Sequence, residues 1–198
     1  MTIRPEYNQV ARIKVFGIGG AGRNILNTLI IKGMDPSLGV YIDTDKNARA
    51  ASRAEAFLVL GEEALHGLNT GADPNKGRIA AQLSEQELLF AMRDVDLLVL
   101  TAGLGGGVGS GATPVIADLA LRAGDTTPVA VVTLPADKEG HARGEQAKAA
   151  LAAIGALPVQ ELHVKRISSD VPLSHWFDEP NTWAADLIWR MIAETKAE

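Results

Sequence analysis

Strands alternating with helices along 198 residues predict an α/β fold, a doubly wound and mainly parallel sheet with helices on both faces. Three stretches carry that expectation. Val95-Asp96-Leu97-Leu98-Val99-Leu100 is an apolar run short enough to be a fully buried strand; Val115, Ile116, Leu119 and Ala120 then recur at helical spacing up to a stop at Gly124. Between them lies Thr101–Gly111, with six glycines at 103, 105, 106, 107, 109 and 111. The same order opens the chain. Arg12–Ile18 alternates as a strand, Gly19–Asn24 breaks it, and Ile25, Leu26, Leu29 and Ile30 carry a helix capped by Gly33. Pro128–Thr133 is another buried strand, followed by a helix that runs to Gly155.

The other elements follow in order. Gly39–Ile42 is a strand ending on Asp43-Thr44-Asp45, and a short helix over Asn47–Arg53 leads to a strand at Phe57–Leu60. Gly67–Arg78 is polar, turn-rich and long for a connection. Such loops in compact α/β domains tend to carry function, the alternative being a solvated surface loop. Ser84 with Glu87 offers a capping box for the helix before the central strand. Val159–Ile167 is a last strand, Pro172–Pro180 is irregular, and Thr182–Lys196 is a closing helix. Residues 1–198 are expected to form a single domain.

Composition bounds the function. Hydrophobic residues make up 46% and charged residues 22%, the balance of a soluble globular chain. A net charge of −5 with no basic run argues against a nucleic-acid partner. There is no cysteine, so neither a disulfide framework nor a thiolate metal site exists. His66, His141, His163 and His175 lack metal-ligand spacing. No stretch has the length and apolarity of a transmembrane segment and the start lacks a signal peptide, so a cytoplasmic location is expected.

In a doubly wound sheet, ligands bind outside the carboxyl ends of the strands, where both glycine stretches and Asp43 fall. Free N–H groups beside a helix N-terminus make an anion cradle at 103–111. A flexible linker is the alternative, but a linker would not separate a buried strand from a helix. Gly17, Gly19 and Gly22 satisfy G-x-G-x-x-G, and an acidic residue about 20 positions further is where a dinucleotide fold holds its ribose. Taken alone, these residues suggest an NAD(P)-dependent oxidoreductase. Glu139 and Arg143, four apart, would share one helix face, either as an exposed ion pair or as a ribose and phosphate clamp. Trp176, Trp183 and Trp189 suggest a hydrophobic cap over the last helix rather than a base-stacking platform.

Five stretches in register resemble the FtsZ branch of the tubulin superfamily. Gly105–Gly111 matches that family's GGGTGSG or GGGTGTG, with Val108 at the threonine position. Gly17–Asn24 matches its first glycine loop, Asp43-Thr44-Asp45 its Asn-Thr-Asp, Gly67–Arg78 its GLGAGANPxxGR, and Glu139-Gly140 with Arg143 its EGxxR. Ala184-Ala185-Asp186 is similar to the part of its central helix that meets the base. The resemblance implies a GTP or GDP ligand, with magnesium as a candidate companion. It would place Gly19, Gly20, Ala21, Gly22, Arg23 and Asn24 along the α/β-phosphates, and Gly107, Val108 and Gly109 at the β-phosphate. Gly103, Gly105, Gly106 and Ser110 complete that loop, and Gly71, Ala72 and Asp73 would face the γ-phosphate. Asp43, Asp45 and Pro135 would lie near the ligand, Glu139 at the ribose, Arg143 at the ribose or phosphates, and Asp186 at the base. A carboxylate at 186 suits guanine, whose N1–H and N2–H₂ both donate.

The departures are as informative. Val108 lacks a hydroxyl that the family points at phosphate, a loss of roughly 1.5–3 kcal/mol. The family's Ile-Pro-Asn-Asp has no counterpart in Val164–Asp170, and Ala136 and Lys138 stand where its PFxFEG has aromatics. The family continues past its central helix into a loop whose acidic residues activate water, and then into a second domain; this chain ends at Glu198. No catalytic residue is therefore assigned, and weak or absent hydrolysis is expected. The resemblance implies a division or cytoskeletal role, with self-association or an FtsZ-like partner. Two rival readings stand beside it: the oxidoreductase, and a nucleotide-binding regulator or scaffold without turnover.

Overall fold

Six strands lie side by side in one parallel sheet, with the chain's most apolar runs in β1, β2, β4 and β5. A computed structural model describes residues 11–155, 157–163 and 178–195. In chain order the elements are β1 (Ile13–Ile18), α1 (Gly19–Ile31), β2 (Gly39–Asp43), β3 (Ala56–Val59), α2 (Glu62–Leu65), α3 (Pro74–Leu83) and α4 (Glu85–Met92). Then follow β4 (Leu97–Gly103), α5 (Gly107–Ala123), β5 (Thr127–Leu134), α6 (His141–Ile154), β6 (Val159–His163) and α7 (Asp178–Thr195). The strand order is β3-β2-β1-β4-β5-β6, and every pairing is parallel. This is the expected doubly wound architecture.

Strand periodicity divides the core in two. Phe16, Ile18, Ile42, Leu98, Leu100, Ala130 and Val132 point to the face covered by α3, α4, α5 and α6. Their neighbours Val15, Tyr41, Val99, Val129 and Val131 point to the face covered by α1 and α7. Burial on both faces is why these strands read as near-continuous apolar runs.

Several boundaries move, each for a physical reason. Both glycine stretches run into helices: α1 starts at Gly19 and α5 at Gly107. The loop at 67–78 ends early, because Asp73 accepts from the Asn75 N–H (2.9 Å) and Pro74 starts α3 with its ring already at a helical φ. Ser84 does not make the expected capping box. Its hydroxyl accepts from the Gly61 N–H at 2.9 Å and gives α4 no side-chain cap. The Asn47–Arg53 helix is a 3₁₀ turn over Lys46–Ala51, with Asp45 as its cap. Glu139 lies in a 3₁₀ turn, Asp137–Glu139, and Gly140 at φ +98° separates it from α6. The last strand is described as far as His163, and the closing helix begins at Asp178. Val164–Asp170 and the stretch from Pro172 to the start of α7 lie outside the described residues.

Candidate functional site

Between β1 and β4 the chain's winding reverses, and at their carboxyl ends the sheet leaves a crevice. A cavity of about 270 Å³ opens there. Ile18 from β1, Gly103 from β4, and Thr133 and Leu134 from β5 form its floor. The first turns of α1 (Gly19, Gly20, Ala21) and α5 (Gly107, Val108, Gly109) form two walls, while Thr70 and the Pro135–Arg143 segment close the others.

Both helices arrive without a side-chain cap. Ile18 and Gly106, their N-cap residues, offer no side-chain acceptor to the first N–H groups. A helix leaves its first N–H groups without intrahelical partners, and its dipole adds roughly half a positive charge at that end. Two such ends, from helices of 13 and 17 residues, meet at one cavity. The result is a concave, positively polarised surface made of backbone.

The glycines are bare for different reasons, which the sequence does not distinguish. Most are bare because protein fills the space. A Cβ on Gly22 would lie 2.3 Å from the Thr101 carbonyl oxygen, and one on Gly109 would lie 2.2 Å from that of Gly103. On Gly111 it would meet the Pro74 oxygen at 2.1 Å, and on Gly77 the Gly107 oxygen at 2.4 Å. These glycines let α1 press on β4 and α3 press on α5. Gly20 and Gly106 differ: both line the cavity, neither has a positive φ, and a Cβ on either would meet nothing within 4 Å. Neither packing nor backbone conformation demands glycine at these two positions. A ligand lying close to the backbone would.

Of the residues singled out from sequence, Gly19, Gly20, Ala21, Gly103, Gly106, Gly107, Val108, Gly109, Pro135, Glu139 and Arg143 line the cavity together. Glu139 accepts from the Ala136 N–H (2.9 Å) through one oxygen and from Arg143 Nη1 (3.1 Å) through the other. The Glu139 side chain is 14% exposed and that of Arg143 52%, so the pair has its carboxylate inward and its guanidinium at the rim. Ser110 stands behind the lining. Its buried hydroxyl accepts from the Gly105 N–H (2.7 Å) and holds the turn, where Gly105 has φ +104°. Gly71, Ala72 and Asp73 lie beyond Thr70 in the same loop, and Asp73 is occupied as the α3 cap.

The remaining candidates are placed elsewhere. Gly22 is used in packing, and Arg23 donates to Asn24 Oδ1 with its guanidinium 6.0 Å from the Tyr41 ring. Asp43 is 7% exposed; it accepts from the Tyr41 hydroxyl (2.6 Å), the Thr44 N–H (2.7 Å) and the Asp45 N–H (3.2 Å). Burial and this bond hold the Tyr41 hydroxyl protonated far above its ordinary range. A carboxylate so occupied has little left for a ribose. Asp186 pairs with Lys32, the residue after the last turn of α1, whereas the cavity adjoins the first. Thirteen residues of helix, about 20 Å, separate those two ends.

Sequence reasoning missed Ile18, Thr70, Leu104, Thr133 and Leu134 as cavity residues. Thr70 lay inside the loop flagged as functional, and Thr133 and Leu134 end a buried strand at the correct sheet edge.

Comparison with known proteins agrees with this geometry. Residues 12–157 match the model of the Tubulin/FtsZ family, GTPase domain. The chain belongs to the tubulin/FtsZ family. Among solved structures it superposes on the empty FtsZ dimer of M. jannaschii with a TM-score of 0.88 and 28% identity, over 99% of this chain and 61% of that one. Against CetZ2 from Haloferax volcanii, solved as a GTPγS-bound protofilament, the TM-score is 0.82 at 21% identity, over 93% of this chain and 59% of that one. The chain thus spans about three fifths of the length of these tubulin/FtsZ relatives. Among the described residues no helix is long and apolar enough to cross a membrane.

Proposed function

We propose that this tubulin/FtsZ-family domain binds a guanine nucleotide, GTP or GDP, with the phosphates in the cavity between α1 and α5. The observation that carries the reading is the convergence of two uncapped helix N-termini on a cavity where Gly20 and Gly106 keep the backbone bare. Such a surface suits an anion with several oxygens. At about 270 Å³ the cavity falls just below the roughly 300–1,000 Å³ of common ligand pockets. It therefore takes the charged tail and leaves sugar and base to lie over the rim, where the Arg143 guanidinium stands with Glu139 just inside it. Magnesium would be held chiefly by phosphate oxygens and water, as it prefers.

Binding rather than rapid turnover is the role we assign to this chain on its own. Among the described lining residues Glu139 is the one carboxylate, and both its oxygens already accept hydrogen bonds. Among the described residues no lining carboxylate is left to activate water. The guanine preference rests on family membership, since Asp186 pairs at the far end of α1. A cytoskeletal role, with filament or partner contacts, follows the same family membership.

Thermal melting tests the reading. GDP or GTP with magnesium should raise the melting temperature, and NADH should not. Absence of any shift with GDP, GTP, ADP and ATP would remove the nucleotide reading. A shift with NADH that GDP cannot compete away would favour an oxidoreductase.

A further inference from the structure

Two side-chain hydroxyls line the cavity, and they differ in what they adjoin. Thr133, at the end of β5, lies over Gly103: a Cβ there would be 3.3 Å from its Oγ1. Thr70 instead sits against the first residue of α5. A Cβ on Gly107 would lie 2.0 Å from Thr70 Oγ1, so the glycine makes room for the hydroxyl. Thr70 is only 4% exposed, and among the described residues its hydroxyl has no hydrogen-bond partner. Its carbonyl accepts from the Asp73 N–H (3.2 Å), which fixes the turn and the side chain with it.

The residue is buried, but its hydroxyl is not sealed off: Thr70 lines the cavity, so the hydroxyl is open to whatever fills that space. Here it faces a cavity at the positive end of a 17-residue helix, beside the first N–H groups. The neighbouring residue of that helix, Val108, presents only methyl groups, and these lie near Gly19 on the opposite wall. The α5 turn thus brings backbone donors to the cavity but no side-chain donor.

We propose that Thr70 supplies the side-chain hydroxyl that binds phosphate in this cavity, donating from the loop before α3 to the phosphate group that faces the first turn of α5. This rests on the nucleotide reading above and adds the residue that grips the phosphate. The hydroxyl donates its proton to a phosphate oxygen, and no bond is broken. Thr70 is a binding residue here, without a part in chemistry.

The test is titration of the full chain with GDP and magnesium, comparing the wild type with Thr70→Val, Thr70→Ser and Thr70→Val combined with Val108→Thr. Valine keeps the shape against Gly107 and removes the hydroxyl. Thr70→Val should weaken GDP binding about ten- to a hundredfold. Thr70→Ser should bind within about threefold of wild type. Val108→Thr should raise affinity by a larger factor in the Thr70→Val background than in the wild type, because two donors to one phosphate group are not independent. Wild type that binds GDP while Thr70→Val binds it equally well overturns this proposal and leaves the nucleotide reading standing. Equal losses in Thr70→Val and Thr70→Ser would also overturn it, since the hydroxyl would not be the cause. Wild type that binds none of GDP, GTP, ADP and ATP overturns the nucleotide reading itself. Should Thr70→Val not fold, the comparison of Thr70→Ser with Val108→Thr in the wild type decides: a serine loss beyond tenfold overturns the proposal.

Discussion

Gly20 and Gly109 look alike in the sequence, each a glycine at the start of a helix, yet they answer to different neighbours. At Gly20 a side chain would enter open cavity, and at Gly109 it would strike the Gly103 carbonyl. Gly20→Val should therefore abolish the melting shift with GDP while leaving the free protein's melting temperature within about 2 °C of wild type. Gly109→Ala should instead destabilise the free protein by several kcal/mol, on the order of overpacking a core or more, read from a urea titration. The same contrast makes Gly107 a poor probe of binding, because its substitution disturbs Thr70 and the Asp73 amide as well. That phosphate-type loops were present was legible from strand, glycine and helix in series. Which glycines face a ligand was not, because the contacts that decide it join Gly77 to Gly107 and Gly111 to Pro74, far apart in the chain.

At the scale of elements, Ser84 shows how a local motif yields to a distant partner. A capping box would make Ser84 and Glu87 jointly responsible for the start of α4. The structure instead places Ser84 Oγ on the Gly61 N–H, in a buried position. Ser84→Ala should cost about 1–3 kcal/mol by orphaning that N–H, and Glu87→Ala should stay within about 0.5 kcal/mol of wild type. Equal effects of the two substitutions in chemical denaturation would restore the capping box. The start of β4 is tied to that of β1 by Asp96, which accepts from the Arg12 N–H (2.7 Å) and from its guanidinium (3.1 Å). Arg12 holds the Asp96 carboxyl below its ordinary range. A carboxyl depressed in the folded state contributes stability above its unfolded pKa, and that contribution fades as pH falls through the folded value. Wild type should thus be more stable than Asp96→Asn at pH 6, with the gap in denaturation midpoint closing as pH falls below about 4. Strand and helix identities were readable because both faces of the sheet are buried; the ties between elements were not, since nothing local announces Arg12 with Asp96 or Lys32 with Asp186.

Across the whole molecule, the cavity gathers the ends of three strands and the starts of two helices, so a ligand there ties together the centre of the sheet and both of its faces. A ligand that binds only the folded state at 100 times its Kd adds about 2.7 kcal/mol. For a chain of this size each kcal/mol is worth roughly 2–4 °C, so saturating GDP should raise the melting temperature by about 5–10 °C in a thermal scan. The doubly wound architecture was legible from alternation alone, and the cavity's position followed from it. The place of Asp186 was not, since helical spacing gives the face of α7 that meets α1 but not the height along it. One consequence concerns how the cavity can open. Where α3 crosses α5, backbone rests on backbone through Gly77 and Gly111, with no side chain to slide or rotate. That jaw is rigid, and Thr70 rides on it. The opposing jaw, Pro135 to Arg143, is braced from within by Glu139, which accepts from the Ala136 N–H and from Arg143, and it turns into α6 at Gly140. A ligand in the cavity would lie against this second jaw, and α6, which continues directly from it, would carry the effect of occupancy away from the site.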